Sequence, residues 1–203
     1  AVTYQPDRIV ACLDGDWRPS WRTELIPEYK ANRIEEESDD GSLSEAAEEL
    51  EILEAQVPII MEVLDAIGIP LIGIDDYEAD DVIGTIAKKA EKEGFLTYMM
   101  TPDKDFAQLV TDHILLYRPA KSGNAAEVWG IKEVCAKFEV QRVEQVIDIL
   151  GLWGDSADNI PGIPGIGEKT SKLLIAKYDS VEGLIANAQE LKGKQKEKLV
   201  SSA

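Results

Sequence analysis

Short apolar runs punctuate the first part of the chain at Arg8–Asp14, Ile69–Ile74, Phe95–Met100 and Ile114–Tyr117. Their length, and the Gly, Pro or acidic residues that bound them, predict buried β-strands. Between them a period of three to four residues takes over. Leu43, Ala46, Leu50, Leu53, Val57, Ile60, Leu64 and Ile67 mark an amphipathic helix packed along that stripe. Ser42 with Glu45 forms a capping box at its start, and Pro58 should kink or restart it. A second helix pattern runs from about Ala79 to Glu93, a third starts at about Phe106, and from about Ile131 the chain is helical. Strands alternating with helices predict an α/β fold with a doubly wound, mostly parallel sheet. Between the first strand and the long helix, Glu35–Gly41 reads as an acidic linker without structure of its own.

The pattern also places chemistry. Where the Ile69–Ile74 strand gives way to a helix stand Glu78, Asp80 and Asp81. A capped helix accounts for one such acid, because the helix dipole favours a carboxylate in the first turn. Three within four residues repel unless a cation sits among them, so metal binding is the second reading. Asp14 ends the first strand, and Asp103 and Asp105 follow the Phe95–Met100 strand. All three acidic groups therefore lie at the carboxyl ends of strands, the edge where doubly wound sheets bind ligands. Asp155 and Asp158, three apart, could face one cation together.

Two further stretches remain open between readings. Trp17–Arg33 interleaves Arg18, Arg22, Lys30 and Arg33 with aromatics. That suits a phosphate backbone and a stacked base, or a surface loop with packed Trp residues. Ile160–Thr170 is a Gly/Pro-rich hairpin that opens a helix over Glu168–Tyr178. Its glycines let backbone N–H groups approach a phosphate, and Lys169, Lys172 and Lys177 add charge; otherwise it is a turn between helices.

Composition narrows the field. The chain of 203 residues, enough for one large or two small domains, carries 39 acids against 21 bases, a net charge of −18. The acidity belongs to the first part, since Ile160–Ala203 holds seven lysines and five acids. So acidic a total argues against nucleic acid as partner unless metal ions offset some carboxylates. The one histidine, His113, excludes His-based zinc hydrolysis and reads as structural or superficial. Cys12 and Cys135 form no metal motif and read as buried free thiols of a reducing, cytoplasmic compartment. Neither a leader nor a membrane span is evident, so no membrane partner is expected. Eight acids without His or Cys select Mg²⁺ or Mn²⁺, and exceed what one octahedral ion uses. Two-metal cleavage of phosphodiesters follows, with Lys30 or Arg33 stabilising charge on the phosphate.

In this order and spacing, Tyr-Lys-Ala-Asn-Arg (from Tyr29), Glu-Ala-Asp-Asp-Val-Ile-Gly (from Glu78), Asp-Lys-Asp-Phe-Ala-Gln-Leu-Val (from Asp103) and Gly-Asp-Ser-Ala-Asp-Asn-Ile-Pro-Gly-Ile-Pro-Gly-Ile-Gly-Glu-Lys-Thr (from Gly154) resemble the 5′-nuclease domain of bacterial DNA polymerase I and its stand-alone relatives. The resemblance covers about Arg8 to Leu199. It implies an α/β nuclease core over residues 1–128, with a helical arch inserted at 30–57 for a 5′ single strand. A helical region over 129–203 would carry a helix–three-turn–helix element that grips duplex DNA, with a K⁺ ion on its backbone carbonyls. It implies two ions, one held mainly by Asp14, Glu78, Asp80 and Asp81, the other by Asp103, Asp105, Asp155 and Asp158. Lys30 matches the catalytic lysine, Tyr29 a residue stacked near the scissile nucleotide, and Arg22 and Arg33 phosphate contacts. Gly162, Gly165, Gly167, Lys169, Thr170 and Lys172 fall in the duplex-binding element.

The implied activity is metal-dependent 5′→3′ exonuclease and flap-endonuclease cleavage of DNA with 5′ flaps, nicks or 5′ ends, in replication and repair. A polymerase domain would follow in the polymerase branch of the family. Three departures stand out. The family opens with a further strand bearing an Asp-Gly motif, so the chain reads as a fragment starting after it. The arch segment is unusually acidic, and Pro102 replaces a glycine before Asp103. They define the rival expectation, a non-cleaving or attenuated DNA-junction binder. An acidic-pocket phosphatase of another doubly wound family would leave the Gly/Pro hairpin and the lysine-bearing helix without a purpose.

Overall fold

The computed structural model describes residues 4–33, 45–120 and 125–191. The acidic linker, Ser42 of the expected capping box and much of the expected arch lie outside the described residues. Two compact units divide the chain, Ala1–Ile83 and Gly84–Ala203, with the boundary inside one helix.

In the first unit, β1 (Ala11–Asp14) lies parallel to β2 (Leu71–Ile74), with Asp14 opposite Ile74. Parallel pairing needs a long crossover. Here it contains α1 (Ser20–Leu25), a 3-10 turn at Ala31–Arg33 and α2 (Glu45–Ala66). Pro58 stands inside α2, yet the helix neither ends nor restarts there. Nor is the whole apolar stripe buried. Val57 and Leu64 are half-buried while Ile60 and Ile67 are 50% and 62% exposed. Positions three apart sit about 60° round the helix, so contact with β2 covers one line of the stripe and leaves the other in solvent. With two strands among the described residues of this unit, Cys12 on β1 is half-buried rather than enclosed; that burial pushes its thiol above the ordinary value. Cys135 is likewise a half-buried free thiol.

α3 (Ala79–Lys92) follows β2 and crosses the unit boundary. The second unit then pairs β3 (Thr97–Met100) in parallel with β4 (Ile114–Arg118), and adds β5 (Glu127–Trp129) antiparallel on the other side of β4. The segment expected to be helical from Phe106 is a 3-10 helix, Lys104–Leu109. Asp103 accepts the Asp105 amide at 2.8 Å, and the tight turn that results stops short of an α-helix. His113 is exposed beside β4.

Helices complete this unit: α4 (Ile131–Phe138), α5 (Gln145–Trp153), α6 (Glu168–Tyr178) and α7 (Val181–Ala186). Between α5 and α6 a hairpin pairs β6 (Gly154–Asp155) with β7 (Ile160–Pro161). Ile114, Leu116, Val134, Val146, Ile149 and Ile175 are fully buried and form the core. Gln145 is buried with them at 2% exposure. Its amide donates to the Asp179 carbonyl at 2.9 Å, and its oxygen accepts from Gln141 N–H at 2.9 Å, so nothing polar is stranded. Among the described residues no helix is long and apolar enough to cross a membrane.

Arg142 closes the same corner with two bonds to Asp179, at 2.6 and 2.8 Å. These hold the Asp179 carboxyl below the ordinary carboxylate range. A depressed folded-state value stabilises above the unfolded value, about 4, and that contribution fades as pH falls. Arg142→Ala should therefore be less stable than wild type at pH 7, with a narrower gap at pH 3. Denaturation at both pH values checks this; an equal gap at both would show that the pair contributes nothing.

Candidate active site

Two acidic groups, one in each unit, follow the carboxyl ends of strands. In the first, Asp14 at the end of β1 accepts the Ala79 amide at 2.6 Å and so caps α3 from outside. Asp80 and Asp81 lie in the first turn of α3, where its dipole favours them; Asp80 is exposed. Asp81 also accepts the Glu78 amide at 3.2 Å.

Charge in this group is met by bases from the α1 region. Arg22 forks onto Asp81 at 2.7 and 2.8 Å and reaches Glu78 at 2.8 Å. Burial alone would raise the Asp81 carboxyl, but the guanidinium more than offsets it and Asp81 lies below its ordinary value. Glu78 is 5% exposed; Tyr29 donates to it at 2.7 Å and Lys30 pairs with its other oxygen. Lys30 is itself buried and holds φ at +51°, a left-handed conformation that costs a non-glycine residue about 1 kcal/mol or more. Strain of this kind persists where the surroundings over-determine it, here through the Lys30–Glu78 pair. Arg33 is exposed on the neighbouring 3-10 turn.

Asp76 holds this layout in place. It accepts from the Ser20 amide at 2.6 Å and hydroxyl at 2.7 Å, tying α1 to the loop after β2. Arg22 packs over the Trp21 ring at 4.3 Å and the Tyr29 ring at 5.7 Å. The basic–aromatic stretch is thus built into the acidic group, rather than forming a separate surface.

In the second unit, Lys104 sits between Asp105 and Asp155, at 2.9 and 3.4 Å. Burial raises the Asp105 carboxyl, and Asp103 and Asp155 add to the rise against the pull of Lys104. Burial would raise Asp155 too, but the Ala157 amide at 2.8 Å and Lys104 bring it below its ordinary value. Asp158 donates its amide to Asp155 at 3.4 Å. The role of Lys104 was missed from the sequence, though a base set between Asp103 and Asp105 is a signal that two acids need a counter-ion.

Among the described residues, no three acids, histidines or cysteines lie close enough to hold an ion as they stand. Yet the donors are all carboxylate oxygens, and an ammonium group already lies between Asp105 and Asp155. A hard cation fits such a donor set.

The α5–α6 connection is tightly built. Gly154 and Gly162 approach each other's backbone across the hairpin, and Gly165 has φ of +81°. Gly167 begins α6, with open space around the position of an added Cβ. Lys169 is exposed and Thr170 half-buried. Lys172 turns inward, donating to the Lys137 carbonyl at 2.9 Å and pairing with Glu168 at 2.9 Å and Glu139 at 3.4 Å. Burial opposes its charge, but the two carboxylates keep its ammonium above the ordinary value.

Parallel strands ending in all-oxygen acidic groups, followed by a helical region with a Gly/Pro hairpin, define a class: an α/β domain built for a hard cation, joined to a helical module. Residues 1–139 match the family model of the 5′-3′ exonuclease N-terminal resolvase-like domain, and residues 141–203 that of the 5′-3′ exonuclease C-terminal SAM fold. The chain belongs to the 5′-3′ exonuclease family. It is 39% identical over 193 residues to a 5′-3′ exonuclease of Streptomyces coelicolor, covering 94% of this chain and 62% of that one. It is 46% identical over 196 residues to DNA polymerase I of Bacillus subtilis, covering 96% of this chain and 21% of the polymerase. It thus spans about six tenths of the exonuclease relative and a fifth of the polymerase. Among solved structures, a T5 5′-exonuclease with bound zinc matches with a TM-score of 0.80 at 25% identity, over 100% of this chain and 72% of that one. The T5 D15 protein co-crystallised with metal ions matches with a TM-score of 0.84 at 25% identity, over 100% and 73%.

Proposed function

We propose that this chain is a structure-specific 5′ nuclease. It hydrolyses phosphodiester bonds of 5′-flapped or nicked duplex DNA during replication and repair in the cytoplasm. The observation that carries the reading is the Lys104 ammonium between Asp105 and Asp155, a cation held by carboxylates just beyond a strand end. Relatives named 5′-3′ exonuclease, and T5 structures with bound metal ions, support it.

Asp14, Glu78, Asp80 and Asp81 would hold one divalent ion, and Asp103, Asp105, Asp155 and Asp158 another; oxygen-only donors favour Mg²⁺ or Mn²⁺. Bound there, such ions supply a hydroxide and neutralise the attacking and leaving oxygens. The chain's own side chains do the rest. Arg22 and Lys30 hold Asp81 and Glu78 in place. With Arg33, they are the bases this group brings to the charge on a transition-state phosphate. Tyr29, its hydroxyl fixed by Glu78, would be the residue stacked near the scissile nucleotide. Gly162, Gly165, Gly167, Lys169, Thr170 and Lys172 would contact duplex phosphates, Lys172 by leaving Glu168 and Glu139, and backbone carbonyls of the hairpin would hold a K⁺ ion. Residues 1–128 would form the nuclease core, 30–57 its arch and 129–203 the duplex-binding region, with a polymerase domain beyond it in the polymerase branch.

The test is a labelled 5′-flap duplex incubated with Mg²⁺, Mn²⁺ or EDTA. Cutting near the junction with either metal and none in EDTA is expected. A folded protein that binds the flap without cutting it would instead be a junction binder. One that neither binds nor cuts would sink both readings.

A further inference from the structure

Beyond the acids of the second unit lies a cleft of about 280 Å³ whose lining includes Lys104, Arg118, Lys137, Trp129, Trp153 and Glu168. In a chain of net charge −18, a lining with three bases and one acid is out of character. The bases lie over indole faces. Arg118 stands 4.5 Å and Lys137 5.0 Å from the Trp129 ring centre, and Lys104 5.4 Å from that of Trp153. An aromatic face holds a cation without cancelling its charge.

The three bases are not equally committed. Lys104 is shared with Asp105 and Asp155, and Lys137 with Glu127 at 3.4 Å. Arg118 forms no ion pair within 4 Å among the described residues, although Glu127 stands opposite it in the β4–β5 pairing and its carboxyl is lowered in part by the Arg118 charge. It ends β4, and its Nε and Nη2 donate to the Pro102 carbonyl at 3.1 and 2.8 Å. A guanidinium pinned by a carbonyl on one edge and a ring beneath keeps its full charge and loses little entropy on taking a further oxyanion. Pro102 is bonded to Asp103, so Arg118 is anchored to the very loop that carries the acids.

We propose that this cleft is a subsite for one phosphate of the DNA strand, with Arg118 its anchoring cation and Lys104 and Lys137 completing the field. The chemistry is that of a phosphodiester: three bases for its oxygens and the half-buried Trp153 for a flanking base. Lys104 links the cleft to Asp105 and Asp155, so the phosphate held there neighbours the acidic group. This inference rests on the nuclease reading.

The experiment measures binding of the full chain to a labelled 5′-flap duplex in EDTA over a salt series. Arg118→Ala should weaken binding about tenfold at moderate salt and reduce the slope of log affinity against log salt by about one. Arg118→Lys should restore the slope. Lys137→Ala, whose side chain is half exposed, should lower the slope without touching the Pro102 anchor. Wild type that binds and cuts, with Arg118→Ala and Lys137→Ala unchanged in affinity and slope, overturns the subsite and leaves the nuclease reading standing. Wild type that neither binds nor cuts overturns both. If inorganic phosphate quenches the tryptophan fluorescence while DNA affinity ignores both substitutions, the cleft takes free phosphate and the strand assignment fails.

Discussion

Replacing Asp103 and Asp105 together by Asn should abolish flap cleavage while leaving the protein at least as stable as wild type. The two halves of this expectation come from the same carboxylates. Asp103 accepts the Asp105 amide at 2.8 Å, and an Asn oxygen can accept the same bond, so the turn before the 3-10 helix survives. Asp105 is pushed up by burial and by the charges of Asp103 and Asp155, a sign that the group is electrostatically crowded. Removing two negative charges relieves that crowding, and Lys104 keeps Asp155 as a partner. Cleavage, by contrast, loses two ligands of the proposed ion. Ion stabilisation of the reacting oxygens contributes several kcal/mol, and about 4 kcal/mol is a factor of roughly a thousand. Single-turnover cleavage with Mn²⁺, beside a thermal melt and flap binding in EDTA, makes the test. Activity down about a thousandfold with unchanged or higher melting temperature and retained binding is the expected pattern. Cleavage within tenfold of wild type would remove this group from the active site.

The same electrostatics explain what could be read from the sequence. Strand runs such as Ile69–Ile74 and Ile114–Tyr117 are legible because their apolar residues are contiguous and end at acids; β2 and β4 lie within a few residues of them. β5 was not legible, since three residues, Glu127–Trp129, carry no measurable alternation. Nor was the 3-10 form of Lys104–Leu109, which is decided by one side-chain bond from Asp103 rather than by periodicity. Pro58 does not restart the helix: α2 runs through it over 22 residues. In the site, the crowding of Glu78, Asp80 and Asp81 announced that a cation was needed. It could not announce that Arg22 and Lys30 would fold back onto Asp81 and Glu78. That pairing spans more than forty residues of chain, and local pattern carries no information on it.

Gly162→Ala should cost the fold about 3 kcal/mol, whereas Gly167→Ala, five positions on, should cost almost nothing. Sequence reasoning gives both glycines one task, letting backbone N–H groups approach DNA; the structure separates them. A Cβ on Gly162 would run into the Trp153 carbonyl and stand 2.7 Å from the Gly154 nitrogen. These are backbone atoms at the end of α5 and in β6, which cannot swing aside as a side chain would. Overpacking costs about 1–3 kcal/mol where side chains can shift, so a backbone collision belongs at the top of that range. For a chain of this size that is a fall in melting temperature of roughly 6–12 °C. The hairpin joining α5 to α6 would open with it, and duplex binding would fall as a consequence of lost structure. At Gly167, φ is −100° and nothing lies within 4 Å of an added Cβ. The poorer capping by Ala, up to about 1 kcal/mol, is offset by the reduced freedom of the unfolded chain. A melt that leaves Gly167→Ala unchanged while its duplex affinity drops tenfold would show that the space beside its backbone is where DNA approaches. If Gly162→Ala melts like wild type, the hairpin is free to adjust, and rigidity at this corner is not what holds α5 and α6 in register.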